Sequence, residues 1–373
     1  MKKKALILGT NAGQADIIRY LKAMGWETHV CGYKQEGPGC ELADYFYLIN
    51  IVDIESVKDL AANIKADIVY SVSSDIAITA ATKVSEMLNL PHLLNSDIIN
   101  LFNNKNEFRS FLNKNNIGYT RYIVVKREDD LDELYWDEYP CVVKPVDSQG
   151  QRGVGLVKDS KELIIAVKNA FDSTNSSRVI IEEFLDGAEF STNVVVQGGK
   201  ILLNEFSDRI VFDESYFGLP KGHRIPVTYI NDEQLEISKL YVRKIVENLN
   251  ITDAVLYIQM KLKGDEPRVI EIAPRLDGCH IWRLIKYSRG VDLRELAIKC
   301  LLGEKIDISH YAPQSVNKVL EFYHIPTGNS FDIRLLDVKD NTLFTEFRYE
   351  NGDKIIPING KLEVVGYSIY NEN

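Results

Sequence analysis

The run Val269-Ile270-Glu271-Ile272-Ala273-Pro274-Arg275, taken with Leu256-Tyr257-Ile258-Gln259-Met260-Lys261-Leu262 upstream, decides how the rest of this 373-residue chain is understood. Both stretches alternate and are rich in β-branched residues, and Lys263-Gly264-Asp265-Glu266-Pro267 between them is turn-forming, so a hairpin is expected. A register symmetric about Asp265 sets Gln259 opposite Glu271, and alternation puts Glu271, Ala273 and Arg275 on one face. A carboxylate beside a neutral oxygen suits a magnesium ion that draws its other ligands from water and phosphates, and a nearby arginine suits a transferring phosphoryl group. A half-exposed surface hairpin with ordinary charges has the same pattern, so the surrounding chain has to decide.

Working outward, the preceding stretch 207–226 concentrates basic and aromatic residues and is expected to be a long loop near a substrate, with Arg209, His223 and Arg224 as candidates for gripping an acid or acting on an amine. Before it, Val179 to Leu185 is a strand running into Asp186-Gly187-Ala188-Glu189. Its paired acids Glu182 and Glu183 fit either an exposed edge or an adenine and ribose site made by backbone groups, Leu185 packing and Glu189. Tyr139 to Pro145 is a strand ending in Lys144, and the glycine-rich Asp147 to Gly155 follows, a hairpin connection or a loop whose amides close over phosphates. An acidic short helix is expected at 128–135, one helix over 101–116 with Lys105 near its start, and further helices at 160–171, 232–249 and 292–302.

The N-terminal residues read as a small parallel α/β unit: strand 5–8, a polar turn, helix 14–24, strand 28–33, then strand 67–72 and helix 74–88. Gly9 and Gly13 do not complete GxGxxG and no acid ends the second strand, which counts against an NAD-binding oxidoreductase. From about 315 the tail is strand-like and forms a β-rich module. The formal charge of −10 argues against nucleic-acid and anionic-membrane partners, and five scattered cysteines without a CxxC pair fit a reducing cytoplasm. No targeting segment or membrane span is expected from the N-terminal run.

The order of these features, a strand lysine, a glycine loop, paired acids, then Gln259 and Glu271-Ile272-Ala273-Pro274-Arg275, resembles the ATP-grasp superfamily, in particular the carboxylate ligases of purine biosynthesis and the carbamoyl-phosphate synthetase large chain. The resemblance implies an α/β and α+β fold: a parallel α/β pre-ATP-grasp domain at 1–100, an ATP-grasp domain at 101–310 with a mobile lid at about 119–180, and the β-rich module at 311–373. It implies that Lys105 and Lys144 contact ATP phosphates under a loop containing Ser148, Gly150 and Gly153, that Glu182, Glu183, Phe184 and Leu185 form the adenine hinge, and that Glu189 holds the ribose. Glu271 and Gln259 would be the metal-side residues for Mg2+, with Mn2+ as a substitute, and Arg275 would steady the phosphoryl group or the acid. The implied reaction activates a small-molecule carboxylate as an acyl phosphate and joins it to an amine, in a protein that is a candidate homodimer. Three positions depart from the pattern: Gln259 where many members have an acid, Ala273 where asparagine is common, and Asp277-Gly278 in place of a doubled glycine. Gln259 and Ala273 also fit a nucleotide-binding regulatory protein that kept the fold without turnover.

Overall fold

A computed structural model describes residues 2–147, 153–212, 218–309, 311–312, 317–356 and 362–372. The N-terminal elements are β1 (Lys4–Leu8), α1 (Ala12–Ala23), β2 (Glu27–Gly32), α2 (Pro38–Leu42), β3 (Tyr45–Leu48), α3 (Ile54–Ile64), β4 (Ile68–Tyr70) and α4 (Asp75–Leu88). Their strands form a parallel sheet in the order β3-β2-β1-β4. Ile7 packs toward Ile17 and Leu21 on one face while Leu6 and Leu8 pack toward Val57 and Val84 on the other, which is why β1 is apolar from Ala5 onward. Asn11 and Gln14 make a capping box at the start of α1. A Cβ on Gly13 would lie 2.5 Å from the Cβ of Ser73, so this glycine is demanded by packing against the turn after β4.

The single helix expected over 101–116 is two, α5 (Ser96–Asn103) and α6 (Lys105–Lys114). The chain breaks at Asn104 because its side chain accepts from the Glu107 amide and caps α6. Next come β5 (Tyr122–Lys126), β6 (Cys141–Pro145), β7 (Gly155–Val157), α7 (Ser160–Asp172) and β8 (Arg178–Glu183), an antiparallel sheet in the order β5-β8-β6-β7 under α7. The acidic helix expected at 128–135 is only a short 3-10 turn, Leu131–Glu133, capped by Asp130. With five acidic residues among its eight positions, that segment has too little apolar surface to hold a longer helix.

The largest sheet has eight strands. Its elements are β9 (Glu189–Gln197), β10 (Lys200–Val211), β11 (Pro220–Ile225), α8 (Asp232–Asn248), β12 (Ala254–Lys263), β13 (Glu266–Ala273), α9 (Ile281–Arg289), α10 (Leu293–Leu301), β14 (Lys318–Pro326), β15 (Thr342–Phe347) and β16 (Leu362–Asn371). The strand order is β13-β12-β9-β10-β11-β14-β16-β15. In the opening hairpin Gln259 does pair with Glu271, with a register shift just after Gln259. The long loop expected at 207–226 is instead the end of β10 and the whole of β11, with residues 213–217 outside the described ones. Polar residues there sit in strands because they are paired: Asp208 accepts from the Thr228 and Tyr229 amides at 2.8 Å each. The tail strands continue this sheet through β14, which pairs with β11. Among the described residues, no helix is long and apolar enough to cross a membrane.

The β11 to β14 joint depends on a glycine. A Cβ on Gly222 would lie 2.3 Å from the Leu320 carbonyl oxygen, a backbone atom that cannot turn aside. Gly222→Ala is expected to destabilise the protein by about 1–3 kcal/mol, the usual cost of overpacking; urea denaturation with an unchanged midpoint would contradict this joint.

Candidate functional site

One face of the central sheet carries the polar side chains. Alternation along β9 sends Phe190, Val194 and Val196 into the core under α8, leaving Glu189, Ser191 and Asn193 for the other face. Glu189 is 6% exposed, and its carboxylate is met by Arg209, by Gln259 Nε2 at 3.1 Å and by Lys261 Nζ at 3.2 Å. Lys261 also lies 5.4 Å over the Phe184 ring. The expected ribose acid is thus already engaged by three donors. His223, paired with Arg209 across β10 and β11, is fully buried; burial and the Arg209 charge push its pKa down to about 3, so it is neutral at ordinary pH.

The lysines come together as expected. Lys105 opens α6, its amide donating to the Val146 carbonyl at 3.2 Å, which sets it beside the end of β6 and Lys144. Burial, then the Lys144 charge, push the Lys105 pKa down to about 8, against the opposing pull of Glu271 and Glu182. Lys144 pairs with Glu182, and Arg109 Nε donates to the same carboxylate at 2.7 Å. Burial alone would raise the Glu182 pKa, but Arg109 and Lys144 hold it down to about 2. The Glu182 carboxylate is engaged by two cations, Arg109 and Lys144, which leaves its backbone for the hinge role expected of it. Glu183 accepts from the Arg121 amide at 2.8 Å, the Phe184 carbonyl accepts from Lys263 at 3.0 Å, and Leu185 is buried. Ser148 and Gly150 lie outside the described residues. Gly153, at φ 71°, returns the chain to β7 where a Cβ would meet Ser173 at 2.6 Å.

Beyond β13, Arg275 leaves the strand face expected for it. Its Nε donates to Asp75 at the start of α4 at 2.7 Å, while Glu271 and Asp277 lie within its electrostatic reach. The next turn is held by the N-terminal unit. Ser73 donates its amide to the Leu276 carbonyl at 3.1 Å and its hydroxyl to the Asp277 carbonyl at 2.8 Å. His280 Nδ1 meets Asp16 at 2.7 Å, and Asp277 caps α9 by accepting from Cys279 and Ile281 amides at 2.7 and 3.1 Å. Glu271 is exposed, with Lys105, Arg209 and Arg275 all in its field. Among the described residues no three His, Cys, Asp or Glu side chains cluster as a metal nest, so a cation here would rely on Glu271, the Gln259 oxygen and a ligand's own oxygens.

Sequence reading missed Arg109, Asp75 and Asp16. Arg109 had a signal: it stands four residues after Lys105 on the same helix face, next to the buried Phe108 and Leu112. Asp75 and Asp16 had none, because their partners lie 200 and 264 residues away in the chain.

Comparison with known proteins places this geometry. The ATP-grasp domain model matches residues 137–282. The carbamoyl phosphate synthase large chain of Methanocorpusculum labreanum is 24% identical over 99% of this chain, which spans only 40% of that protein's length. Phosphoribosylamine–glycine ligase of Methanococcus maripaludis is 25% identical over 97% of this chain and 87% of its own. The structure of L-amino acid ligase from Bacillus licheniformis superposes with a TM-score of 0.80 at 20% identity, covering 99% of this chain and 93% of that one, and so shares the fold.

Lys105 should titrate near pH 8 when its methylated amine is followed by NMR, and Lys144→Met should move that titration upward, because it removes a like charge. A Lys105 that titrates with the surface lysines would contradict the clustering.

Proposed function

We propose that this chain, whose residues 137–282 match the ATP-grasp domain model, is an ATP-dependent ligase that activates a small-molecule carboxylate as an acyl phosphate and joins it to an amine. The observation that carries the reading is the placement of Lys105 beside Lys144, by the hydrogen bond from its amide to the Val146 carbonyl, with the exposed Glu271 in its field. Two lysines held near each other, with burial and the Lys144 charge lowering the pKa of Lys105, suit an anionic polyphosphate. In this reading residues 1–100, 101–310 and 311–373 are the units, and 119–180 the lid that closes on ATP.

Lys105 and Lys144 would hold the phosphates, and the backbone of Glu183 to Leu185 would receive the adenine edge beside Phe184. Glu271 and the Gln259 oxygen would hold Mg2+, with Mn2+ as a substitute. When bound, the metal neutralises charge on the transferring phosphoryl group. Arg275 and Arg209, each within the field of Glu271, would steady the substrate acid, whose oxygen attacks the γ-phosphorus in line as the bond to ADP breaks. Closing the lid excludes water until an amine displaces phosphate from the acyl carbon, forming the amide. His223, buried beside Arg209 and held neutral, would act by packing next to that arginine. The partners are small molecules, with neither nucleic acid nor membrane, in the cytoplasm, and a homodimer is the expected assembly.

A nucleotide-binding regulator without turnover is the second reading, favoured by Glu189, whose carboxylate is taken up by Arg209, Gln259 and Lys261. Two measurements separate them. Mg-ATP should raise the melting temperature and NAD should not; a rise with NAD alone would sink the ligase reading. Pools of carboxylates and amines should release ADP, and Glu271→Ala should lower that rate by at least about 100-fold, as removing a group that offsets transition-state charge does. Full activity in that variant would contradict the metal-side assignment.

A further inference from the structure

We propose that Arg109 is a positioning residue for the nucleotide site: acting through Glu182, it fixes Lys144 and ties the lid sheet to the central sheet beside Glu271. The proposal rests on the ligase reading only in that Lys144 meets ATP. Arg109 is 2% exposed and uses each side of its guanidinium. Nε donates to Glu182 Oε1 at 2.7 Å and one terminal nitrogen approaches Oε2 at 3.5 Å. The other donates to the Val269 carbonyl at 3.0 Å, two residues before Glu271 on β13. Lys144 takes the remaining side of the Glu182 carboxylate. One planar fork therefore joins α6 of the central body, β8 and β6 of the lid, and β13.

Stability alone does not account for this pair. Replacing a buried ion pair by well-packed apolar residues is often neutral or favourable, so the charges have to be explained by what they arrange. What they arrange is Lys144. An ammonium has three donors and no fixed plane, so it takes its direction from its acceptor. With Arg109 present, Glu182 stays charged and stationary, and Lys144 is aimed from a fixed anchor toward Lys105. Without Arg109, the carboxylate keeps one partner and is free to follow Lys144 in whatever direction it turns. A lysine at position 109 would restore the charge but cannot reach Glu182 and Val269 together.

The test compares Arg109→Met, Arg109→Lys and Glu182→Gln with Arg289→Met, which breaks a separate buried pair, Arg289 with Glu205 at 3.0 Å, on α9 and β10. Urea denaturation gives stability, calorimetry gives Mg-ATP affinity, and NMR of the methylated Lys144 amine reports its surroundings. Arg109→Met should weaken Mg-ATP binding by about tenfold, the lower end of what losing a ligand-orienting partner costs in metal sites, and Arg109→Lys should not restore it. Arg289→Met should destabilise without changing affinity. In Lys144→Met, adding Arg109→Met should cost little more affinity, since the two act as one unit. Wild-type affinity in Arg109→Met, or losses that simply add, would overturn the proposal. Should Arg109→Met not fold, the near-isosteric Glu182→Gln carries the same comparison. Wild-type protein that binds no Mg-ATP would overturn the ligase reading, whereas a Lys144 resonance unmoved in the Arg109 variants would overturn the positioning role itself.

Discussion

Glu182 keeps its charge in the interior, at 3% exposure, and much of the site depends on that. Moving a carboxylate out of water costs several kcal/mol even after relaxation, which by itself drives the group to protonate. The opposite happens, with its pKa held down to about 2, so the pull of Arg109 and Lys144 exceeds the desolvation. That balance permits a second step. Lys105 and Lys144 repel one another, and an anion fixed behind them is what lets two cations stand at one mouth before any phosphate arrives.

The N-terminal unit contributes by restraint. Its first turn has the look of a nucleotide loop, but Gly13 is there because a Cβ would strike Ser73, and Ser73 in turn holds two carbonyls of the turn after Arg275. Asp75 anchors Arg275 and Asp16 anchors His280. Asp16 also accepts from Trp282 Nε1 at 3.2 Å and Arg283 at 3.2 Å, so a single buried carboxylate fastens α1 to the start of α9. Four hydrogen bonds from three residues of the N-terminal unit, Asp16, Ser73 and Asp75, thus leave the turn 275–280 few alternative conformations.

The hairpin was legible because both of its signals are local: alternation gives the faces and the turn gives the register, so Gln259 opposite Glu271 follows from spacing alone. Lys105 and Lys144 were legible as positions on a helix start and a strand end, though their mutual approach came from the fold. Reading failed where polar residues are buried by distant partners. Residues 207–226 looked like a loop because Asp208, Arg209 and His223 seem unsuited to a sheet interior, yet Asp208 is satisfied by Thr228 and Arg209 by Glu189. Glu182 looked like an edge acid for the same reason, since nothing near it in the chain announces an arginine 73 residues upstream.

The two departures in the hairpin have physical reasons in their neighbours. An acid at 259 would set a second carboxylate against Glu189, where Gln259 now donates at 3.1 Å. Like charges at that distance on a buried face raise one another's pKa and lose the hydrogen bond as well, so an amide is what Glu189 requires there. Because its nitrogen is committed to Glu189, the amide oxygen is the atom left for the Glu271 side. Ala273 stands directly across from Tyr257, a buried residue within the field of Arg209. Cross-strand side chains on one face share a fixed volume, so a large ring on β12 calls for a small residue on β13. The space beside Ala273 is thus filled from the facing strand, and Glu271 stands exposed with Lys105, Arg209 and Arg275 in its field.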